Sequence, residues 1–323
     1  MFITLIKIFP LIVVTSYLSI SLHQRYRLIE KLFAITLLAF LTINLNAYYF
    51  SDFINYVEWI KNSETIVHRD YLFTQVLKIL NLFPNAETSL RMFLFTFYSI
   101  LIITFCRHNT ILFVVNPIIL DCIFNSQRAG IAISLITIFF MKKPLLNILI
   151  FPVVFFFHKY FSVYIFLIQS TKLFKLKFKL FFIIFISSVI AYFFSNNYYS
   201  ELDNINRFAY MFINSGKGWS EFYDTGGGSL WGKVSRFVVV SIPAILTILS
   251  FQSVNTKIAT AILVTTTLIL ILGPSFSIFY RLSLLSYLLL TQIKIKNPNA
   301  QLIKLICVLI GVFNLMTDME YTF

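Results

Sequence analysis

Apolar runs punctuated by basic clusters constrain this 323-residue chain more than any other feature. About 12 such runs are legible, at 2–21, 32–50, 91–105, 110–123, 129–141, 144–157, 160–171, 179–194, 234–252, 258–273, 281–292 and 301–316. In lipid every backbone polar group must be satisfied within its own helix or in a closed barrel. Residues 1–323 are therefore expected to form a single all-α domain, a polytopic integral membrane helical bundle of about 10–12 transmembrane segments. The shorter runs also admit a re-entrant reading. Hydrophobic residues make up 59% of the sequence and charged residues 12%, against about 25% charge in a soluble globular domain. The first run carries Lys7 and has the look of a signal peptide, but Pro10 interrupts it and no A-x-A-like site follows. It reads as a retained helix.

The basic clusters fall at alternate turns: Arg25, Arg27 and Lys31; Arg107; Lys142 and Lys143; Lys172, Lys175, Lys177 and Lys179; Lys257; Lys294 and Lys296. The positive-inside rule assigns these turns to the cytoplasm. The amino terminus and two long extracytoplasmic loops, about 51–90 and 195–233, then lie on the other side. With Lys304, 14 of the 26 basic residues are inside beside one acid, Glu30, while 11 are outside beside 12 of the 13 acids. The net charge of +13 is thus a signal of topology, and it gives no support to nucleic-acid binding.

Lysine and arginine separate within that census. Of 17 lysines 11 are inside, whereas six of nine arginines are outside: Arg69, Arg91, Arg128, Arg207, Arg236 and Arg281. The guanidinium fork grips phosphate and carboxylate in bidentate fashion, and here it collects on the face where the positive-inside rule disfavours it.

Helical rise turns spacing into depth, at about 1.5 Å per residue. Arg128 lies roughly 21 Å above Lys142, His158 roughly 22 Å above Lys143, Arg281 roughly 20 Å above Lys294, and Arg91 roughly 24 Å above Arg107. All four fall below the outer boundary of a hydrocarbon core about 30 Å thick. Ionisable groups at that depth ordinarily face a bundle interior or a wet cavity, which points to an outward-facing funnel lined by cations. Arg128 also opens a helix whose amino end points outward, and the free N–H groups there suit an anion. Other roles stand beside these: an ion pair of Arg128 with Asp121 or another outer carboxylate, a structural hydrogen bond for His158, and interfacial anchoring for Arg91 and Arg236.

The first outer loop begins "YYFSDFINYVEWI", where Asp52 and Tyr56 share a helical face at i, i+4. A carboxylate beside aromatic rings suits a sugar; an interfacial aromatic belt is the plainer reading. The second loop combines five aromatics between Phe208 and Phe222 with Arg207, Glu221 and Asp224, a further candidate carbohydrate surface. "TGGGS" at 225–229 reads as a hinge or a linker. "GGSLWGKV" from Gly227 lacks the Ser/Thr of a phosphate-binding loop and follows no predicted strand. Cys106, Cys122 and Cys307 are too scattered for a metal site or a disulfide framework. No metal or cofactor is expected.

Against this background "FNSQRAGIAISLITIFFMKKPLLNILIFPVVFFFHKYFSVYIFL", from Phe124, resembles the central signature of the EpsG-like, Wzy-type polysaccharide polymerases. The shared features are an arginine opening a short helix, small residues at Ala129, Gly130 and Ala132, a basic turn, and "FH". "SDFINY" resembles that family's D-x-x-x-Y element and "FSIFYRLSLLSY" its late arginine element. An arginine often precedes the family's aspartate, but "INLNAYYFSD" has none, and Ala129 stands where glutamine is common.

The resemblance implies a GT-C-like membrane glycosyltransferase of O-antigen, lipopolysaccharide or capsule biosynthesis. It would be a multi-pass protein of the inner membrane with its site facing the periplasm or extracytoplasmic side. Its substrate would be undecaprenyl-pyrophosphate-linked oligosaccharide, and a chain-length regulator would be a further partner. Arg128 and Arg281 would then hold pyrophosphate, and His158 and Asp52 would serve the reacting centre. Tyr56, Arg207, Arg91, Arg236 and Asp224 would bind substrate. A flippase for lipid-linked sugars and a membrane O-acyltransferase are the competing classes.

Overall fold

The computed structural model describes residues 27–44, 51–63, 70–141, 144–157, 165, 178–194, 230–251, 254–272 and 277–320. Among these residues every regular element is a helix. The chain runs through α1 (Arg27–Asn44), α2 (Ser51–Lys61), α3 (Tyr71–Asn81), α4 (Ala86–Thr104), α5 (Thr110–Val114), α6 (Pro117–Phe124) and α7 (Gln127–Phe140). It continues through α8 (Pro144–Phe157), α9 (Phe178–Phe194), α10 (Leu230–Leu249), α11 (Thr256–Leu272), α12 (Ser277–Leu290) and α13 (Pro298–Glu320).

Local chemistry sets several of these boundaries. Asn85 caps α4 by accepting from Thr88 N at 2.9 Å. Asn116 accepts from Ile118 N at 2.8 Å and is followed by Pro117, whose fixed φ suits the first helical position. That Asn-Pro start divides the run 110–123, expected as one segment, into α5 and α6. A second break follows at once: α6 and α7 meet at a bend of 118°. The stretch 51–90, expected as a loop, holds α2, α3 and the first turn of α4.

α1 and α4 pack antiparallel and are tied at both ends. Lys31 Nζ donates to the Ile103 carbonyl at 2.7 Å, and Arg91 Nη1 donates to the Thr42 carbonyl at 2.6 Å. At the lysine end of this pair the chain between α4 and α5 joins the end of α12. His108 N donates to Thr291 O at 2.8 Å, and Gln292 Nε2 donates to Phe105 O at 2.6 Å. Asn109 adopts a left-handed φ of 53°, which asparagine tolerates, and its amide donates to Leu290 O and Ile293 O at 3.1 and 2.9 Å. Asn297 Nδ2 donates to Leu249 O at 3.0 Å, so the turn carrying Lys294 and Lys296 also meets the end of α10. Glu30, the one acid of the basic clusters, accepts from Thr110 N at 2.7 Å at the start of α5. Lys31, Arg107, Lys257, Lys294 and Lys296 are thus gathered at one end of the bundle.

The core joins Leu37, Leu41, Leu94, Ile133, Leu285 and Leu288 from four helices, all essentially inaccessible. Apolar side chains also cover outer faces, as at Ile100 and Ile103 on α4 and at Leu302, Ile306 and Ile310 on α13. By length and composition, α4 is long and apolar enough to cross a membrane, and α6 with α7 meets the same standard as a bent pair.

Candidate functional site

The end of the bundle away from the lysines holds two arginine–aspartate pairs. Arg128, in the first turn of α7, donates through Nη1 to Asp70 Oδ2. Its Nε also lies 3.4 Å from the Tyr56 hydroxyl oxygen, a long contact. Arg281 on α12 donates through Nε to Asp121 Oδ2 on α6 at 3.0 Å. An ion pair was foreseen as one role for Arg128; the partner is Asp70, because Arg281 engages Asp121.

Asp70 stands at the amino end of α3 in extended backbone, with φ −104° and ψ 92°, where an aspartate commonly caps its own helix. Its side chain makes no cap and meets Arg128 instead, and it is 7% exposed. Three aromatic rings surround the guanidinium. Its carbon lies 5.8 Å from the Trp59 ring centre and 5.9 Å from that of Phe73. Tyr56 packs edge-on against both rings, at 5.1 and 5.4 Å between centroids. A cation held over ring faces and beside a carboxylate gains both cation–π and Coulomb attraction while partly desolvated. About a quarter of the Arg128 side chain, 24%, remains exposed, against 14% for Arg281.

Asp52 lies within electrostatic reach of both arginines. Helix α2 carries it one turn before Tyr56, and Arg281, Asp121 and Arg128 all act on its charge. Among the described residues it makes neither a hydrogen bond nor an ion pair. Burial raises its carboxyl above the usual carboxylate range, with Arg281 and Arg128 opposing that rise and Asp121 adding to it. A carboxylate raised in this way is a stronger proton acceptor than a solvated one, and both guanidinium groups act on its charge.

Beneath the site α6 and α7 approach closely. Gly130 makes this possible: a Cβ there would lie 2.8 Å from Cys122 Cβ and would collide with the Tyr98 hydroxyl. The small residues following Arg128 therefore seat the arginine against α6, which carries Asp121. Gln127 is wholly buried with both amide atoms unpartnered, and the buried Ser126 hydroxyl is likewise unpartnered.

The structure thus brings together Arg128, Arg281, Asp52 and Tyr56 of the residues singled out from sequence. Tyr56 is only 3% exposed and presents its hydroxyl toward Arg128, so it lines the arginine rather than the open face. Arg91 has other partners. It donates to Glu87 at 2.8 Å and to Thr42 O at 2.6 Å, and lies 5.3 Å over Phe53, which itself packs on Phe124. That is an anchor's environment. His158, Arg207 and Asp224 lie outside the described residues, as does the side chain of Arg236 on α10.

Asp70, Trp59 and Phe73 escaped the sequence reading. The aspartate directly before the apolar pattern of α3 was the available signal for a helix start, and assigning 51–90 to a loop concealed it. Comparison with known proteins returned no matching family model, no matching curated protein and no matching solved structure.

Proposed function

We propose that this protein is a multi-pass membrane glycosyltransferase that polymerises lipid-linked oligosaccharide repeat units in surface polysaccharide biosynthesis. The carrying observation is the two arginine–aspartate pairs, Arg128 with Asp70 and Arg281 with Asp121, at the end of the bundle opposite Lys31, Lys257, Lys294 and Lys296, with the charge of Asp52 under the influence of both arginines. The exposed apolar faces of α4 and α13 support a membrane setting.

In this reading the donor is an oligosaccharide on undecaprenyl pyrophosphate. The glycosidic bond from sugar to pyrophosphate breaks, and the anomeric carbon bonds to a hydroxyl oxygen of another repeat. The lipid pyrophosphate leaves with the electron pair of the broken bond. Negative charge grows on that leaving group, and preorganised guanidinium groups in a partly dry site stabilise it. Asp52 accepts the proton of the attacking hydroxyl. Asp70 and Asp121 hold the two arginines in place when no pyrophosphate is bound, and the leaving group competes with them for the same N–H donors.

The reading is tested by deleting the gene in the source organism and separating its surface glycans by length. Single repeats in place of long chains support a polymerase. Accumulation of untranslocated lipid-linked repeats sinks it in favour of a flippase, and unaltered chains lacking acyl groups point to an acyltransferase.

A further inference from the structure

A groove of about 700 Å³ opens between the end of α3 and the outer half of α4. Its walls include Ile79, Phe83, Thr88, Ser89, Met92 and Thr96, and no charged residue lines it among the described residues. Phe83, Met92 and Ile79 are more than half exposed, so the groove is open along an apolar rim. Two polar groups of the wall are already satisfied within the chain: Asn85 accepts from Thr88 N, and the Ser89 hydroxyl donates to Ala86 O at 2.9 Å. These groups ask nothing of an occupant, which favours one that is itself apolar.

Two geometric facts relate the groove to the arginine site. The first is depth. Thr88 precedes Arg107 by 19 residues and Thr96 precedes it by 11. The α4 wall then stands roughly 16–29 Å from the lysine end. In a hydrocarbon core about 30 Å thick that is the half nearer the arginine site. The second is continuity with that site through one helix. Asp70, at the start of α3, holds Arg128, while Ile79 and Leu80, near its end, line the groove. Nine residues of helix separate Asp70 from Ile79, or roughly 14 Å.

Resting on the polymerase reading above, we infer that the groove binds the isoprenoid chain of the lipid-linked substrate. A pyrophosphate at Arg128 is joined to a tail that runs along α3 and enters the groove within the same leaflet. The arginines recognise the charged head, and the wall of α3 and α4 recognises the chain. A long tail gains affinity from burial there, whereas a tail too short to travel the length of α3 gains none.

The test uses the full-length protein in phosphatidylcholine nanodiscs and two probes, undecaprenyl and geranyl pyrophosphate, each with a diazirine in its chain. The undecaprenyl probe should crosslink within residues 79–96 and be displaced by unlabelled undecaprenyl pyrophosphate. Met92→Trp, which fills the groove from an exposed position, should weaken undecaprenyl binding roughly tenfold and leave geranyl binding unchanged. Thr96→Phe provides a second filling variant should the first fold poorly.

Arg128→Gln should weaken both probes. Geranyl and undecaprenyl probes binding equally well, each dependent on Arg128, would overturn the groove and leave the arginine site standing. Loss of Arg128 without effect on either probe would overturn both. Equal labelling of 79–96 by a diazirine phosphatidylcholine, or crosslinks there to a second copy of the chain, would also overturn the assignment.

Discussion

Asp52 lies under the influence of both arginines yet is paired with neither, and its chemistry follows from that position. Burial raises its carboxyl from the usual 3.8, so native-state stability falls as pH rises from that value toward the raised one and the full cost persists above it. In the proposed reaction activity has the opposite sign, because Asp52 as base must be ionised. The rate should therefore fall on acidification at a pH above the ordinary carboxylate range, and Asp52→Asn should remove that acid limb along with roughly 10²–10⁴-fold of the rate. The same variant should be at least as stable as the parent at neutral pH; a large loss of stability would assign Asp52 a structural role. Asp70→Asn separates holding from competing. With its carboxylate neutralised Arg128 keeps its aromatic surroundings, and inorganic pyrophosphate should bind more tightly by calorimetry. Weaker binding would mean that Asp70 positions the guanidinium. Stability should fall by less than the roughly 3–5 kcal/mol of a broken buried pair, since Arg128 is 24% exposed. Arg128, Arg281 and Asp52 were legible in sequence because each is a charge at an improbable depth. Asp70 was not, because its role depends on where α3 starts.

At the level of elements, the decisive contact is that of α6 with α7. The short apolar run after Arg128 was readable, but the 118° bend before it was not. Periodicity records which residues are apolar, whereas the break comes from a turn at Asn125 and Ser126, whose N–H groups both reach back to Asp121 O at 2.8 Å. Gly130 lets the two arms approach. Gly130→Ala should cost roughly 1–3 kcal/mol by overpacking against Cys122 and Tyr98, seen as a lowered Tm in detergent. Tyr98→Phe, which removes the colliding hydroxyl, should recover part of that loss. A Gly130→Ala protein of unchanged Tm would show that the contact is slack. α3 and α2 were lost to the loop assignment because 51–90 is less apolar than its neighbours. Amphipathic helices at a membrane surface need only one apolar face, and a hydropathy window averages that face away.

At the scale of the whole molecule, Lys31, Arg107, Lys257, Lys294 and Lys296 lie at one end among the described residues, and Arg128 and Arg281, which engage aspartates, lie at the other, with Lys61 and Lys78 on α2 and α3. The topology proposed here makes the lysine end cytoplasmic. Cysteines placed at the exposed Lys61 and Leu82 should react with a membrane-impermeant maleimide in intact cells, and cysteines at Lys257 and Lys296 should react only after permeabilisation. The reverse pattern would place the arginine site in the cytoplasm and remove the extracytoplasmic assignment. All-helical architecture was legible because apolar runs of this density leave few alternatives. Which helices touch was not, because the ties that set it, such as Arg91 to Thr42 O and Asn109 to Leu290 O, join residues far apart in the chain. The central claim is that paired guanidinium groups drive departure of a lipid pyrophosphate. It is tested most directly by incubating the purified protein in nanodiscs with a lipid-linked oligosaccharide and measuring dimeric glycan and released undecaprenyl pyrophosphate together. The parent should yield the two in equal amounts, and Arg128→Lys, which keeps the charge but loses the fork, should lower both by roughly 100-fold or more. Parent-like turnover by Arg128→Lys, or glycan extension without release of pyrophosphate, would contradict it.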